Sequence, residues 1–203
     1  MSEIVTTLLK KHPFISDQIE STELQVILTE LEKTIDMDIP GDIVEFGCYG
    51  GTTSLFMQRL LTMKKSDKKL YVYDSFDGLP EKTKEDESPL GIDFKRGELR
   101  CTKAEFIHNF RKANLPVPIV CKKWFHEVES NEIPSKISFA FLDGDYYKSI
   151  RSSLALVMPR MSKSGVIIVD DYDNPALPGA KKAVEDAKLN IASYKCSLGV
   201  IVL

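Results

Sequence analysis

The sequence predicts an α/β protein with a mostly parallel sheet, helices on both faces and an antiparallel hairpin at its C-terminal end. Three observations carry this. Short apolar runs of strand character alternate with amphipathic stretches between residues 42 and 169, a pattern that lays right-handed crossover helices against both faces of a parallel sheet. The first run ends in a glycine turn, Gly47-Cys-Tyr-Gly-Gly51, that leads straight into a helical stretch. The chain closes with two β-rich stretches, 191–195 and 198–203, around Cys196-Ser197, which reads as a hairpin.

Each element follows from local pattern. Leu24, Ile27, Leu28, Leu31 and Ile35 recur at three- and four-residue intervals and predict an amphipathic helix from Thr22 to about Thr34, capped by Ser21 or Thr22. Ile39-Pro-Gly-Asp42 breaks that pattern, and Asp42 to Gly47 reads as a short buried strand before a helix from Thr52 to Met63. Lys69 to Asp74 gives the second strand, Thr102 to Ala113 a helix, and Val117 to Lys123 a third strand whose start is weakened by Pro116 and Pro118. Ile137 to Leu142 and Val166 to Val169 are the fourth and fifth strands, with Tyr147 to Val157 helical between them and a last helix from Gly179 to about Lys188.

Residues 1–38 are expected to form a helical segment that packs on the core or on a second copy of the chain, and residues 39–203 the main domain. Within it, residues 75–101 form a long charged stretch holding Gly78, Pro80, Pro89, Gly91 and Gly97. Loops of that length without their own structure are uncommon unless functional or disordered. A lid is the expectation.

At 203 residues and 43% hydrophobic content, the chain suffices for one substantial core. A net charge of -3 offers no broad basic field, which argues against nucleic acid or an anionic membrane as partner and for a small-molecule substrate. No apolar run has the length of a membrane span and the start lacks a signal-peptide pattern, so a cytoplasmic location is expected. Cys48, Cys101, Cys121 and Cys196 are scattered without a CxxC pair, which suits buried, reduced thiols.

The chemistry lies at strand ends. Ile137-Ser-Phe-Ala-Phe-Leu-Asp-Gly-Asp145 and Gly165-Val-Ile-Ile-Val-Asp-Asp-Tyr172 place acids just past two apolar runs. If those runs are neighbouring strands, Asp143, Asp170 and Asp171 crowd together, and each like-charge pair near 4 Å costs about 4 kcal/mol at an effective dielectric of 20. Bound Mg²⁺, which seeks oxygen ligands, relieves that repulsion. Small residues at Gly47 and Gly51 let a ligand approach the backbone where the first strand meets the first helix. Asp74, ending the second strand, is placed to accept hydrogen bonds from ribose hydroxyls. The glycine loop is not the GxGxxG that seats a pyrophosphate, because Cys48 and Tyr49 interrupt it; this disfavours NAD and favours S-adenosylmethionine.

These residues resemble the macrocin O-methyltransferase (TylF-like) family of class I S-adenosylmethionine-dependent methyltransferases. The resemblance covers roughly residues 24–190 and rests on Pro40-Gly-Asp-Ile-Val-Glu-Phe-Gly47, Tyr73-Asp-Ser-Phe-Asp-Gly-Leu-Pro80, Lys123-Trp-Phe125, Leu142-Asp-Gly-Asp-Tyr-Tyr-Lys-Ser149, Val169-Asp-Asp-Tyr172 and Pro178-Gly-Ala-Lys-Lys-Ala183. It implies a Rossmann-like class I methyltransferase sheet and methylation of a hydroxyl on a sugar or sugar-containing small molecule. It further implies that Glu45, Gly47 and Gly51 frame the methionine part of the cofactor, Asp74 takes the ribose, and Trp124 and Phe125 border the adenine. Asp143, Asp170 and Asp171 would hold Mg²⁺ and Asp145 would be the general base. Gly50 and Ser164 depart from the family pattern.

A catechol acceptor would use the same chelation logic and stays open. His126, after Trp124-Phe125, is an alternative base or acceptor contact. Readings of another class are an NAD-linked oxidoreductase, opposed by the missing GxGxxG, and a non-catalytic nucleoside-binding module, opposed by Asp145, since binding alone needs no base.

Overall fold

The computed structural model describes residues 2–193 and 196–203. Two N-terminal helices, α1 (Glu3–Lys11) and α2 (Ser21–Asp36), precede β1 (Asp42–Phe46), α3 (Thr52–Met63), β2 (Leu70–Asp74), α4 (Lys103–Lys112) and β3 (Ile119–Lys122). Then come β4 (Ile137–Leu142), α5 (Tyr147–Val157), β5 (Met161–Val169), α6 (Pro178–Asp186), β6 (Ala192–Ser193) and β7 (Gly199–Val202). The strands form one sheet in the order β3-β2-β1-β4-β5-β7-β6. β1 to β5 pair in parallel, while β7 lies antiparallel to both β5 and β6. This is the Rossmann-like sheet with a closing hairpin that the sequence predicts. Of the expected strand 191–195, residues 194 and 195 lie outside the described residues.

The period of two along each strand divides the core. Ile43, Val72, Phe139, Phe141, Val166 and Ile168 face one side, where they pack with α1, α2, α3 and the α4 rings Phe106 and Phe110. Val44, Phe46, Tyr73, Ala140, Leu142, Ile167 and Val169 face the other, against α5 and α6. β4 is buried along its whole length, so its C-terminal end is the most constrained point from which to present a functional group.

Differences from expectation have local causes. Helix α1 has only two buried residues, Val5 and Leu8, too few to stand out as a periodic stripe; the Ser2 hydroxyl accepts the Val5 N–H at 3.1 Å and caps it. β3 starts at Ile119 rather than Val117 because Pro116 and Pro118 have no N–H to give the ladder. β5 starts early, at Met161, tied down by the Ser162 hydroxyl donating to the Pro40 carbonyl. The four cysteines are unpaired, but only Cys48 is buried and the other three are half-buried. Among the described residues, no helix is long and apolar enough to cross a membrane.

Candidate active site

The loops leaving the C-terminal ends of the parallel strands converge on one cavity of about 620 Å³, where open α/β sheets bind ligands and within the usual size of a small-molecule site. Gly47, Asp74, Trp124, Phe125, Asp143, Asp145, Asp170 and Asp171 all line it. Glu45 and Gly51 do not.

The glycine turn is shaped by close approach. Gly47 has φ +87°, and a β-carbon there would stand 1.7 Å from the Asp143 carbonyl oxygen. Gly51 has φ +90°, and its β-carbon would stand 2.8 Å from the Phe106 ring. Asp74 then pins the turn: one carboxylate oxygen accepts the Cys48 and Tyr49 N–H groups at 2.8 and 3.3 Å, and the other accepts the Phe76 N–H at 2.6 Å. The second oxygen keeps acceptor capacity for a ligand, since a carboxylate oxygen has two lone pairs. Behind the turn, Glu45 is fully buried, accepts the Ser54 hydroxyl, and has Oε1 without a partner. Burial foremost, opposed by the Ser54 hydrogen bond, moves its pKa up to about 8.

Trp124 and Phe125 follow β3. The Phe125 ring meets Phe46 edge-on at 5.2 Å, and Phe46 stacks on Tyr73 at 4.5 Å; this aromatic stack in the core fixes where the cavity's aromatic wall stands. His126 lines the same wall but is exposed.

The acids gather opposite. Carboxylate oxygens of Asp143, Asp145 and Asp171 lie within 4.8 Å of one another, a separation at which each ionised pair repels by about 3.5 kcal/mol at an effective dielectric of 20. Asp170 is 7% exposed, and its carboxylate accepts the Asp171 N–H at 3.0 Å. After burial, its charge is the strongest influence holding the Asp143 carboxyl well above the usual range. Burial also raises Asp145 to about 8, with Asp171 and Asp74 adding to the effect, and it raises Asp170 and Asp171. Asp145 and Asp171 have φ of +55° and +54°, an uncommon region for a residue with a side chain. Three carboxylates, those of Asp143, Asp145 and Asp171, thus offer oxygens close enough to share one hard cation, with Asp170 outside that group but acting on Asp143 through its charge.

Sequence reasoning missed one part of the wall, the N-terminal segment, and expected the long loop as a lid without naming which of its residues line the cavity. Asp17, Gln18 and Glu23 enter from the N-terminal segment, and Phe94, Arg96 and Leu99 from the long loop. The Glu23 carboxylate accepts the Ser197 hydroxyl at 2.9 Å and the Glu20 N–H at 2.9 Å. The cap of α2 is Glu20, bonded to Glu23, rather than Ser21 or Thr22, and the effect of the Glu23 charge on Asp170 is a tertiary fact.

The family model for macrocin-O-methyltransferase (TylF) matches residues 16–192. The chain belongs to that family. It is 29% identical over 162 residues to the 8-demethyl-8-(2,3-dimethoxy-alpha-L-rhamnosyl)-tetracenomycin-C 4'-O-methyltransferase of Streptomyces olivaceus, covering 77% of this chain and 61% of that protein. It is also 29% identical over 170 residues to the demethyldecarbamoylnovobiocin O-methyltransferase of Streptomyces niveus, covering 80% of this chain and 64% of that one. This TylF-family chain therefore spans a little over three-fifths of the length of these relatives. The structure of the O-methyltransferase NovP shares its fold with a TM-score of 0.81 at 24% identity, over 91% of this chain and 80% of that chain. In the TylF-family chain described here, the cavity joins an acid and an aromatic wall suited to a nucleoside with a carboxylate cluster suited to a cation.

Proposed function

We propose that the chain is a Mg²⁺-dependent O-methyltransferase that moves a methyl group from S-adenosylmethionine to a hydroxyl of a sugar or sugar-containing small molecule. One observation carries the reading: Asp74, Trp124 and Phe125 share a single cavity with the cluster of Asp143, Asp145 and Asp171. Family membership and the printed activities of the relatives, both O-methyltransferases, support it. The four unpaired cysteines suit a reducing, cytoplasmic compartment.

S-adenosylmethionine supplies an electrophilic methyl group. Mg²⁺, when bound, supplies positive charge that lowers the pKa of an adjacent hydroxyl. Asp143, Asp170 and Asp171 are the residues to hold it. Asp74, whose carboxylate accepts the Cys48 and Tyr49 N–H groups, fixes the glycine turn beside the methionine part and takes the ribose hydroxyls, and Trp124 and Phe125 flank the adenine. Asp145 takes the proton from the acceptor hydroxyl. The walls hold acceptor and donor in line, and such orientation supplies up to about 7 to 11 kcal/mol of barrier reduction.

Calorimetric titration with S-adenosylhomocysteine and with NAD tests the cofactor assignment; binding of NAD alone would overturn it. Asp145→Asn tests the base. Its kcat is expected to fall about 10² to 10⁴-fold with S-adenosylhomocysteine affinity within about threefold of wild type, whereas Asp143→Asn and Asp170→Asn are expected to weaken Mg²⁺ binding. Full turnover after complete chelation would refute the metal assignment.

A further inference from the structure

We propose that Asp86, in the loop of residues 75–101, is a positioning residue for Asp145, so that docking of the loop and alignment of the base are one event. The proposal rests on the reading of Asp145 given above.

Asp86 stands in a charged stretch of sequence, yet it is 1% exposed. One carboxylate oxygen accepts the Tyr147 N–H at 2.7 Å, and the other accepts the N–H and hydroxyl of Thr83, each at 2.8 Å. Tyr147 is the first residue of α5, and Tyr146 at the helix N-cap makes no side-chain cap. The loop therefore supplies the cap that the local sequence lacks. Gly179, in the first turn of α6, shows that the fold makes room for it. Its φ lies outside the left-handed region, so the backbone does not require glycine there, yet a β-carbon would stand 1.8 Å from Asp86 Oδ1 and 2.7 Å from the Tyr147 nitrogen. The carboxylate thus sits by the N-terminal turns of two helices, whose dipoles favour an anion.

Two further ties join the loop to the same region. The Tyr146 hydroxyl donates to the Phe94 carbonyl at 3.1 Å, and its ring packs with Leu79, Leu177, Phe94 and Leu99. The Ser88 hydroxyl donates to the Pro175 carbonyl at 3.1 Å, on the segment that follows Asp170 and Asp171. Asp145 itself has φ +55°, and a residue in a sparsely populated backbone region persists only where its surroundings over-determine it. Both residues that follow it are held by the loop. An undocked loop leaves Tyr147 uncapped and Asp145 free to relax.

Asp86→Ala and the isosteric Asp86→Asn test this. Hydrogen exchange on the protein without ligands is expected to be about tenfold faster or more in the first turn of α5 and in the loop of Asp86→Ala, with β1 and β4 unchanged. In turnover, Asp86→Ala is expected to lose about tenfold or more in kcat while its S-adenosylhomocysteine affinity stays within about threefold. Asp86→Asn keeps an oxygen for the Tyr147 N–H and is expected to recover most of kcat; it also carries the test if the alanine variant does not fold, with faster exchange in the loop as its expected sign. Wild-type exchange at α5 in Asp86→Ala, or in the loop of Asp86→Asn, overturns the coupling, as does a fall in cofactor affinity that matches the fall in kcat. The exchange measurement needs no acceptor, so altered exchange in a protein that methylates nothing would retain the coupling and reject the assigned reaction.

Discussion

The turn at Gly47 and the end of β4 at Asp143 are in such close contact that a β-carbon on Gly47 would stand 1.7 Å from the Asp143 carbonyl oxygen. The Asp143 N–H donates to the Phe46 carbonyl at 2.8 Å and the Gly47 N–H to the Tyr73 carbonyl at 2.9 Å, so neither strand end can retreat without breaking a buried bond. Gly47→Ala is expected to cost about 3 kcal/mol or more, combining a strained φ with overpacking against rigid backbone. Gly51→Ala has a similar φ but meets a side-chain ring, that of Phe106, rather than backbone, and should cost about 1 to 3 kcal/mol. Urea unfolding of the two variants measures both. Equal losses would show that the Gly47 contact yields more easily than this geometry implies.

Glu45 predicts how stability depends on pH. Its folded pKa is raised from 4.5 to about 8, so between those values the folded protein holds a proton that the unfolded chain has released. The fold therefore incurs no penalty from this group at low pH and loses stability as pH rises toward 8, by at most about 5 kcal/mol at 1.36 kcal/mol per pH unit. Glu45→Gln cannot ionise and is expected to flatten that slope. Melting temperatures of both proteins between pH 5 and 9 check this; parallel curves would mean that Glu45 stays ionised in the fold.

The sheet was legible because each strand repeats a pattern that depends only on neighbours in sequence, as in β4, where Ile137 to Leu142 is apolar throughout and is buried throughout. Asp143, Asp145 and Asp171 were legible for the same reason, since each stands just past a strand end. Their grouping was not. Sequence groups Asp143 with Asp170 and Asp171, whereas the carboxylate oxygens within 4.8 Å of one another are those of Asp143, Asp145 and Asp171, with Asp170 acting on Asp143 through its charge. Glu45 reads as part of the glycine loop, but alternation along β1 turns it away from the cavity toward Ser54 on α3. Asp86 was illegible because a carboxylate within the charged stretch of residues 75–101 looks solvated, and its partner Tyr147 is 61 residues away.

Trp124 offers an optical test of the cofactor wall. It is the chain's one tryptophan and lines the cavity, so titration with S-adenosylhomocysteine is expected to change its fluorescence in proportion to occupancy. Trp124→Ala should weaken binding about tenfold, the equivalent of about 1.4 kcal/mol, with the melting temperature of the free protein little changed. Saturable calorimetric binding with no fluorescence response would move the adenine away from Trp124.

Divalent cation and protons should compete at the aspartate cluster. All four carboxyls have folded pKa values raised above the ordinary carboxylate range, Asp145 to about 8. The metal-free fold thus binds more protons than the unfolded chain up to that pH and loses stability as pH rises through the window. A cation binds the deprotonated cluster, so its stabilisation must grow with pH over the same window. At a hundredfold excess over its dissociation constant Mg²⁺ adds about 2.7 kcal/mol, which for a chain of this size raises the melting temperature by about 5 to 10 °C. The shift is expected to be larger at pH 8 than at pH 6, and Asp143→Asn should reduce it while making the metal-free protein more stable at pH 8, because one of the opposed charges has gone. A Mg²⁺ shift that is the same at both pH values, or that survives Asp143→Asn undiminished, would place the cation elsewhere.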